Sequence, residues 1–476
     1  MYTQIILIPI GGKGTRFKHN NYNTPKALIN IFGKPIIYYL IKNLNIDNST
    51  LVYIPYNNEY KKYRFEDTML HLFPKIKFKF LDLNIDTHGA AETINIAISK
   101  LSNTVDIPVI CLDSDCFYTT DIIQLWNKKN CVFFLKDQHS QPIYSYLKLD
   151  NNDTILNIKE KEKISDNACC GAYGFKSASE LLKYTSFIID NNILDKNEFY
   201  TSTCIKNMLL DNINFKGVMI EKKYYHNIGT PFQLKQFYNN TPHISCLTGK
   251  QYNSKLRICF DLDNTLLTTP EILNNYQTVL PIEKNIRFLK YLKKFGHTII
   301  IYTARTMNVQ SNNQGKLLAD IGKITFETLE KFKIPNDKIY FGKPYADYYI
   351  DDKSISSHQN LEKELGFYLD TIEPRDFNSI EQKTIEIFTK KSNNLSGEIY
   401  YYQNIPNCIK DMFPIFINHD LNYQWYSIEK IHGLTLSNIY ISELMNINLL
   451  ENVMNSIKRI HNTEIDFEPD VNIYLN

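Results

Sequence analysis

The chain has 476 residues, which is more than one hydrophobic core usually organises, so two or three domains are expected. With 43% hydrophobic and 22% charged residues and a formal net charge of +2, the composition excludes a disordered chain and gives no overall field that would attract nucleic acid. No apolar run is long enough to cross a membrane, and the nine scattered cysteines form no C-x-x-C pair. We therefore expect a soluble, cytoplasmic protein with reduced cysteines, without membrane insertion and without a nucleic-acid partner.

The first half of the sequence alternates short apolar runs with helical patterns. The apolar runs cover residues 5–10, 51–54, 108–112 and 131–135, and helical stretches at 36–44 and 90–101 lie between them. Such alternation is typical of a mostly parallel sheet covered by helices. We predict an α/β domain over residues 1–245.

Two further segments follow. The polar residues 248–254 read as a linker, and a second strand–helix series begins at residue 256, which predicts a second α/β domain over residues 255–375. Another polar stretch at 392–394 precedes a third segment, 392–476, predicted as a small α+β unit. The predicted fold class is thus α/β, with two successive mostly parallel sheets and an α+β segment.

A glycine-rich loop follows the first predicted strand. Residues 8–17 read IPIGGKGTRF, and the glycines allow backbone N–H groups to approach a phosphate whose charge Lys13 and Arg16 would neutralise. The segment TPKAL at 24–28 and GKP at 33–35 come next. The loop is not a Walker loop, because no Gly-Lys-Ser/Thr ends it, and it is not a dinucleotide fingerprint, because it continues as Thr-Arg-Phe.

This combination resembles the sugar-phosphate nucleotidyltransferase family, which has a G-G-x-G-T-R loop and a downstream P-K lysine. The resemblance implies a Rossmann-like fold with Arg16 and Lys26 as catalytic residues. The segment HGAAET at 88–93 resembles the family's small-residue stretch beside the nucleobase. The residues implied to bind the nucleoside triphosphate are Gly11, Gly12, Gly14, Thr15, Gly89 and Ala90.

Two carboxylates end the predicted strand at 108–112. In the resembled family an aspartate here binds Mg²⁺; Asp115 aligns best with it and Asp113 is a candidate second ligand, although the two could also cap the following turn. The family usually places an aspartate before a later G-T motif, whereas this chain has Asn227. An asparagine offers a carbonyl oxygen without charge, so we expect the metal to bind more weakly at Asn227 than at an aspartate.

A third part of the resemblance concerns the acceptor. Residues 159–161 read KEK and residues 171–175 read GAYGF, similar to the family's E-K pair and G-x-Y-x-F strand. The resemblance implies that Glu160, Lys161 and Gly171 contact the acceptor. The implied reaction is in-line attack of an acceptor phosphate oxygen on the α-phosphorus, with pyrophosphate leaving.

The second series carries four further motifs in order. The residues FDLDNTL at 260–266 follow a strand and resemble motif one of the haloacid-dehalogenase-like (HAD-like) phosphatases. The segments IIIYTAR at 299–305, FGKP at 341–344 and YYIDD at 348–352 resemble motifs two, three and four. The T-A-R and G-K-P features are most similar to small capsule-biosynthesis phosphatases.

That resemblance implies an aspartate nucleophile. Asp261 would attack phosphorus, Asp263 would act as general acid and then base, and Thr303 and Lys343 would hold the phosphoryl group. A second Mg²⁺ would neutralise the anionic phosphoryl group. The candidate ligands for this metal are Asp261, Asp263, Asp351 and Asp352.

The third segment contains two informative stretches. Residues 398–402 are predicted as a strand, and 426–436 resemble the hinge strand of choline-kinase and aminoglycoside-phosphotransferase-like proteins, with a helical stretch at 457–462. The H-x-D catalytic loop of that family does not follow. The segment is therefore either the front part of a kinase fold, a docking domain or an unrelated α+β appendage.

The leading hypothesis is a bifunctional enzyme that joins a nucleotide to a sugar or polyol phosphate and hydrolyses a phosphomonoester, for surface-glycan or capsule precursors. One alternative replaces the acceptor with phosphocholine or a similar amine phosphate. Another makes the first domain a nucleotide sensor that regulates an active phosphatase. The base, the acceptor and homo-oligomerisation stay open.

Overall fold

The structure is a computed structural model. It describes residues 2–101, 107–137, 142–240, 255–272, 275–305, 314–344, 346, 349, 351, 353–368, 379–384, 387–431, 436 and 445–463. The chain divides into two compact units, Met1–Leu369 and Asp370–Asn476. Among the residues in these ranges, no helix is long and apolar enough to cross a membrane.

Among the described residues before residue 230, the first unit contains thirteen strands. They are β1 (Gln4–Leu7), β2 (Asn30–Ile31), β3 (Lys34–Pro35), β4 (Thr50–Asn57), β5 (Phe78–Leu83), β6 (Val109–Leu112), β7 (Cys116–Tyr118), β8 (Cys131–Lys136), β9 (Ser145–Leu149), β10 (Ile155–Glu160), β11 (Asn167–Phe175), β12 (Lys216–Met219) and β13 (Tyr225–Asn227). The helices among them are α1 (Thr15–Lys18), α2 (Ile36–Lys42), α3 (Phe65–Leu72), α4 (Ala90–Ser99), α5 (Ile122–Trp126), α6 (Ala178–Asp190), α7 (Thr201–Leu210) and α8 (Pro231–Asn240).

Nine of these strands form one sheet, with the order β10-β9-β11-β6-β1-β4-β5; β8 pairs with β11, and β12 pairs with β8. The central strands β6, β1, β4 and β5 are parallel to one another, as the strand–helix alternation predicts. Strand β11 runs antiparallel to β6, β8 and β9 and extends the sheet. The sheet is therefore mixed, with a parallel centre.

Helices cover both faces of this sheet because its central strand is apolar on both sides. Along β1, Ile5 and Leu7 pack into a core with the helices α4, α6 and α7, while Ile6 and Ile8 pack into the core on the other face. Successive side chains of a strand point to opposite faces, so one uninterrupted apolar run supplies both cores.

A smaller parallel sheet belongs to the same compact unit. Its strands are β14 (Arg257–Phe260), β15 (Thr298–Thr303) and β16 (Lys338–Phe341), and they lie in that order. Its helices are α9 (Glu283–Lys294), α10 (Gln314–Lys331) and α11 (Leu361–Leu365). Residues of this sheet share one apolar core with the first, so the described residues of the predicted segment 1–245 and those of the second segment up to residue 368 belong to one compact unit.

The second unit is built on an antiparallel sheet with the strand order β17-β18-β20-β19. Its elements are β17 (Ser379–Thr384), β18 (Ile387–Lys391), α12 (Ser396–Gln403), β19 (Phe416–His419), β20 (Trp425–Glu429) and α13 (Ile447–His461). The sheet includes β17 and β18, which precede the polar stretch at 392–394. That stretch is a loop inside the unit, whereas we predicted a boundary there.

The strand predicted at 398–402 is wrong, because these residues lie in α12. Leu395 and Ile399, four residues apart, are both buried and place the helix against the sheet, while Tyr400 and Tyr401 are exposed. Tertiary packing thus overrides the strand preference of isoleucine and tyrosine. The residues 426–429 are in a strand and 457–461 in a helix, as predicted, but 432–435 lie outside the described residues.

Candidate active sites

The glycine-rich loop leaves the carboxyl end of β1 and turns back towards Lys26. Gly14 has a left-handed backbone (φ 61°), and a Cβ on it would lie 3.3 Å from the Cβ of Lys26. At Gly11 a Cβ would lie only 2.8 Å from Oγ1 of Thr93 on α4. Both positions therefore favour glycine, and the loop is held between Lys26 and α4.

Lys26 and Asp115 meet, although 89 residues separate them. The Nζ of Lys26, in a 3₁₀ turn, donates to Oδ2 of Asp115 at 2.5 Å. Burial by itself would raise the pKa of Asp115, but the charge and hydrogen bond of Lys26, with a smaller contribution from Arg16, hold that pKa below its usual value. A carboxylate and two cations thus gather beside the glycine loop.

Asp113 lies deeper at the same strand end. Its backbone N–H donates to the carbonyl of Gly171 at 2.8 Å, and a Cβ on Gly171 would lie 2.8 Å from Oδ2 of Asp113. Burial, together with the nearby negative charge of Asp115, raises the pKa of Asp113. Neither carboxylate caps the following helix, because Asp121 caps α5.

Asn227 lies beside this pair because β13 pairs with β7 and the N–H of Ile228 donates to the carbonyl of Asp115 at 2.9 Å. A Cβ on Gly229 would lie 2.5 Å from Oδ2 of Asp115 and 3.3 Å from Oδ1 of Asn227, so both oxygens border the same small space. The Nδ2 of Asn227 donates to the Tyr144 hydroxyl at 3.3 Å. Carboxylate and amide oxygens are the donors that Mg²⁺ prefers.

A cluster of three or more His, Cys, Asp or Glu side chains suited to a metal does not occur in the part of the chain that the structure describes. Mg²⁺ nevertheless needs only one or two carboxylates when substrate phosphates and water complete its shell. Asp113, Asp115 and Asn227 fit that kind of site.

The predicted acceptor residues lie on β10 and β11. The carboxylate of Glu160 is buried, and its Oε2 accepts hydrogen bonds from the hydroxyls of Ser202, at 2.8 Å, and Ser145. Burial raises the pKa of Glu160, although these hydroxyls oppose the shift. Lys161 donates to the Tyr200 hydroxyl at 3.2 Å.

Sequence reasoning missed Ser145, Ser202 and Tyr200, which belong to β9, α7 and the residue before α7. No motif contains them, and only the fold brings them to Glu160 and Lys161. A hydroxyl-rich segment, TST at 201–203, directly after an aromatic pair is the one signal that could have indicated them.

The predicted nucleobase segment has a structural reason for its glycine. Gly89 has a φ of 144°, and a Cβ on it would lie 2.4 Å from the carbonyl oxygen of Phe199. Ala90 follows as the first residue of α4, and the N–H of Ala91 donates to that same carbonyl at 3.0 Å. The segment therefore packs directly against the turn that carries Tyr200.

The second group of predicted residues lies at the carboxyl edge of the small sheet. Because β14, β15 and β16 are parallel and in register, Asp261, Thr303 and Lys343 all leave the sheet at the same edge. The Nζ of Lys343 lies 3.0 Å from Oδ1 of Asp261. Thr303 is buried, its carbonyl accepts the N–H of Lys343 at 3.1 Å, and its hydroxyl accepts the N–H of Arg305 at 3.2 Å.

Asp263 is held by Arg305, which the sequence analysis did not single out as a site residue. The Nε and Nη2 of Arg305 donate to the two oxygens of Asp263 at 2.8 and 2.7 Å, and Nη1 donates to Thr325 at 3.3 Å. The guanidinium lies 4.5 Å from the centre of the Tyr276 ring. Each oxygen of Asp263 thus accepts one hydrogen bond from Arg305, which orients the carboxylate, and the role of Asp263 as a metal ligand stays a prediction.

The remaining predicted ligands of the second site are less well placed. Asp351 is exposed, and its Oδ1 accepts the N–H of Lys353 at 2.6 Å. Asp352 lies outside the described residues. Asp261 and Asp351 supply hard oxygen donors of the type that Mg²⁺ prefers.

Residues 4–241, which are half of the chain, match the family described as "Nucleotidyl transferase". The chain therefore belongs to the nucleotidyl transferase family, through the unit that carries Lys26 and Asp115.

Among curated relatives, the bifunctional protein GlmU of Methanocaldococcus jannaschii is 25% identical over 233 residues, covering 48% of this chain and 52% of that protein. The GlmU protein of Methanococcus maripaludis is 26% identical over 257 residues, covering 52% of this chain and 57% of that protein. The chain thus spans about half the length of the curated relatives it matches.

Two solved structures are also similar. A nucleoside-diphosphate-sugar pyrophosphorylase from Vibrio cholerae has a TM-score of 0.43 and 19% identity, with 49% of this chain and 98% of that chain covered. The CTP:phosphocholine cytidylyltransferase of Streptococcus pneumoniae has a TM-score of 0.39 and 14% identity, with 50% and 98% covered.

Proposed function

We propose that the first site transfers a nucleotidyl group from a nucleoside triphosphate to a small phosphorylated acceptor and releases pyrophosphate. The observation that carries this proposal is the Lys26–Asp115 contact, which lies between the glycine-rich loop and the acceptor residues of a nucleotidyl transferase family member. Two cations and a carboxylate at that position match the charge of a triphosphate with its metal.

Each group at the site has a separate task. The loop N–H groups around Gly12 bind the triphosphate, while Arg16 and Lys26 offset the charge that develops at the α-phosphorus. Lys161 and Glu160 orient the acceptor so that a phosphate oxygen attacks in line with the departing pyrophosphate. Positioning and charge neutralisation supply the rate, since the protein forms no covalent bond.

Asp115, Asn227 and Asp113 would hold Mg²⁺ in this site. The ion, when bound, would screen the triphosphate and the attacking phosphate from each other. Asp113 offers a second carboxylate from the end of β6, which offsets the charge that Asn227 lacks. Asp113 and Asp115 leave one strand end and Asn227 comes from β13, so the negative charge is concentrated on one side of the site.

We propose a sugar or polyol phosphate as the acceptor. The acceptor side of the site presents the cation Lys161, whose Nζ lies 5.5 Å from the centre of the Tyr200 ring. A quaternary ammonium group would need aromatic faces without a resident cation. The charge and the hydroxyl-rich surroundings of Glu160 thus favour a hydroxylated acceptor over phosphocholine.

Pyrophosphate release in the presence of Mg²⁺ tests the first site. Each of the four common nucleoside triphosphates is paired with a sugar 1-phosphate panel, a polyol phosphate and phosphocholine. We expect release with a sugar or polyol phosphate, and Lys26→Ala and Asp115→Ala should abolish it. Lys77→Ala is the matched control, because Lys77 is exposed and its ammonium contacts, with the Asn48 carbonyl and the Tyr2 ring, involve none of the proposed site residues.

Two outcomes would contradict this proposal, and each would favour a different function for the first site. Release with phosphocholine alone would move the acceptor to an amine phosphate. Tight nucleotide binding without release under any pairing would make the first site a nucleotide sensor.

We further propose that the second site hydrolyses a phosphomonoester. Asp261 attacks phosphorus while Asp263 gives its proton to the departing alcohol oxygen, which leaves an aspartyl phosphate. Asp263 then takes a proton from water, which attacks the phosphorus and frees inorganic phosphate together with the Asp261 carboxylate. Lys343 and Thr303 bind the phosphoryl oxygens, and Asp261 with Asp351 would hold a second Mg²⁺ that offsets their charge.

Hydrolysis of p-nitrophenyl phosphate tests the second site. Asp261→Asn removes the nucleophile with little change of volume and should abolish hydrolysis, while pyrophosphate release by the same preparation stays at the wild-type rate. Hydrolysis that survives Asp261→Asn would exclude the aspartyl phosphate. Together, the two chemistries suit the synthesis of activated sugars for surface-glycan or capsule assembly.

A further inference from the structure

The loop at 19–25 joins two residues that the first site depends on. Arg16 lies in α1, just before the loop, and Lys26 begins the 3₁₀ turn directly after it. Both cations must face the same triphosphate, so the conformation of this loop sets the distance between them. Surface loops are mobile unless other parts of the fold hold them.

A segment far along the chain contacts the first half of this loop. The Nζ of Lys363, on α11, donates to the backbone carbonyl of Asn20 at 2.9 Å. The side chain of Asn20 in turn donates to the backbone carbonyl of Arg16 at 3.0 Å. Lys363 is thus linked to the backbone of Arg16 through a single intervening residue.

The second contact is made by a pair of tyrosines. The hydroxyls of Tyr22 and Tyr368 lie 2.6 Å apart, and either can donate. The ring of Tyr22 is buried and packs edge-on against Phe17 of α1 at 5.2 Å, and Lys363 lies 5.1 Å from its centre. Residues 363–368 therefore hold the loop at Asn20 and at its midpoint, Tyr22, while the Tyr63 hydroxyl donates to the carbonyl of Asn23 at 2.7 Å.

Contacts with the β2–β3 turn fix the position of residues 363–368. Gly366 has a φ of 68°, and a Cβ on it would lie 2.1 Å from the carbonyl oxygen of Asn30. The N–H groups of Phe32 and Gly33 donate to the carbonyls of Gly366 and Leu365, both at 2.8 Å. These contacts seat the segment on the β2–β3 turn, four to seven residues beyond Lys26 in the sequence.

We propose that residues 363–368, here called the docking segment, position the nucleotidyl transfer site by holding the 19–25 loop. The docking segment lies outside residues 4–241, which match the family, so the active site of this chain is completed by its second sheet domain. Lys363 and Tyr368 do not reach the substrate; they act through Arg16 and Lys26. The inference rests on the proposed nucleotidyl transfer.

The expected kinetic effect follows from geometry. A displacement of about 1 Å of a group at the reacting centre can cost up to about 100-fold in rate. Lys363→Met should lower kcat for pyrophosphate release about tenfold, with a smaller change in the KM for the acceptor. Lys363→Arg keeps a donor and should recover much of the loss. Lys290→Met is the matched control, since Lys290 donates to a carbonyl within the second sheet domain.

The tyrosine pair allows a sharper test, because phenylalanine preserves the ring packing. Tyr22→Phe and Tyr368→Phe should each lower kcat about threefold, since each leaves the partner hydroxyl without its bond. The double variant should lose no more than either single variant, because both remove the same hydrogen bond. If the kcat losses of the two single variants multiply in the double variant, the two hydroxyls act independently. The hydrogen bond between them is then not what positions the loop.

Hydrogen exchange of the backbone amides in residues 15–29 measures directly, without any substrate, how strongly the docking segment holds the 19–25 loop. We expect faster exchange in Lys363→Met and Gly366→Ala than in wild type or Lys290→Met. Wild-type exchange in Lys363→Met overturns the inference, and so does faster exchange with an unchanged kcat. If wild type releases no pyrophosphate with any pairing, the proposed function fails, while hydrogen exchange still decides whether the docking segment orders the loop.

Discussion

The two candidate sites use the same pair of residue types in different surroundings. In each, a lysine contacts an aspartate beside the carboxyl end of a parallel strand: Lys26 with Asp115 and Lys343 with Asp261. Asp261, Lys343 and Thr303 leave three adjacent strands, so strand register places them. Lys26 begins a 3₁₀ turn directly after the 19–25 loop, which contacts Lys363 and Tyr368.

The carboxylates next to each pair also differ. Beside Asp115, burial and the charge of that residue raise the pKa of Asp113. Near Asp261, both oxygens of Asp263 accept hydrogen bonds from the buried guanidinium of Arg305. The two lysine–aspartate contacts thus differ in their neighbours, which are a second carboxylate at the first site and a buried guanidinium at the second.

The largest effect is expected when each of the two lysines is substituted separately and both activities are measured. Lys26→Met should lower pyrophosphate release about 100- to 1,000-fold and leave phosphomonoester hydrolysis unchanged, because each lysine serves one site. Lys343→Met should do the reverse. Both activities are measured on one preparation of each variant. A parallel loss of both activities would mean that the sites are not independent.

The next largest effect is expected at Arg305. Arg305→Lys keeps the charge but loses the fork that orients Asp263, so kcat for p-nitrophenyl phosphate should fall about 10- to 100-fold. Thr325→Val, which removes the acceptor of Nη1 of Arg305 and leaves both hydrogen bonds to Asp263, should have a much smaller effect. Pyrophosphate release serves as the folding control. An Arg305→Lys enzyme with wild-type kcat would show that Asp263 needs no orientation.

A smaller effect is expected at Asn227, where the first site departs from the pattern of the resembled family. Asn227→Asp adds a negative charge beside Asp115 and should lower the Mg²⁺ concentration for half-maximal pyrophosphate release about fivefold. Asn212→Asp, a surface change, controls for net charge. An unchanged Mg²⁺ requirement would remove Asn227 from the set of metal ligands.

The smallest effect is expected on the free energy of unfolding, at His226, the residue before Asn227. Burial lowers the pKa of His226 to about 4, and its ring stacks on Phe117 at 4.7 Å. The unfolded chain takes up a proton near pH 6.5 while the folded chain resists it, so this histidine's contribution is present above pH 6.5 and is lost as the pH falls towards 4.

His226→Phe preserves ring packing and should flatten the decline of unfolding free energy between pH 6.5 and pH 4, by at most about 3 kcal/mol at the acid end. Urea unfolding at pH 7.5, 6 and 5 checks this. An equally steep decline in the variant would assign the pH dependence to other groups.

Much of this arrangement could be predicted without coordinates. The apolar run at 5–10 predicts a strand buried on both faces, because only a central parallel strand needs no polar side. The glycine at 14 and the lysine at 26 indicate a phosphate-binding loop, and the structure brings them into contact. The motif order from Asp261 to Lys343 predicts residues at one sheet edge, because strand ends in a parallel sheet meet there.

Other features depend on contacts between distant residues. Arg305 ends the T-A-R motif, but nothing in the local sequence shows that its guanidinium donates to both oxygens of Asp263. The helix α12 forms where local preference indicates a strand, because Leu395 and Ile399 bury one face of it against a sheet.

The sequence by itself determined the residue types that each segment offers: a glycine-rich loop with basic residues, two strand-end carboxylate groups and the family of the first half. Local spacing suffices for these, since they depend on residues that are neighbours in the chain or on strands of fixed direction. Only the tertiary structure decided which side chains orient them. The contacts of Lys363 with Asn20 and of Tyr368 with Tyr22 join residues more than 340 positions apart. Such contacts arise from the packing of whole sheets and helices, which no local pattern encodes.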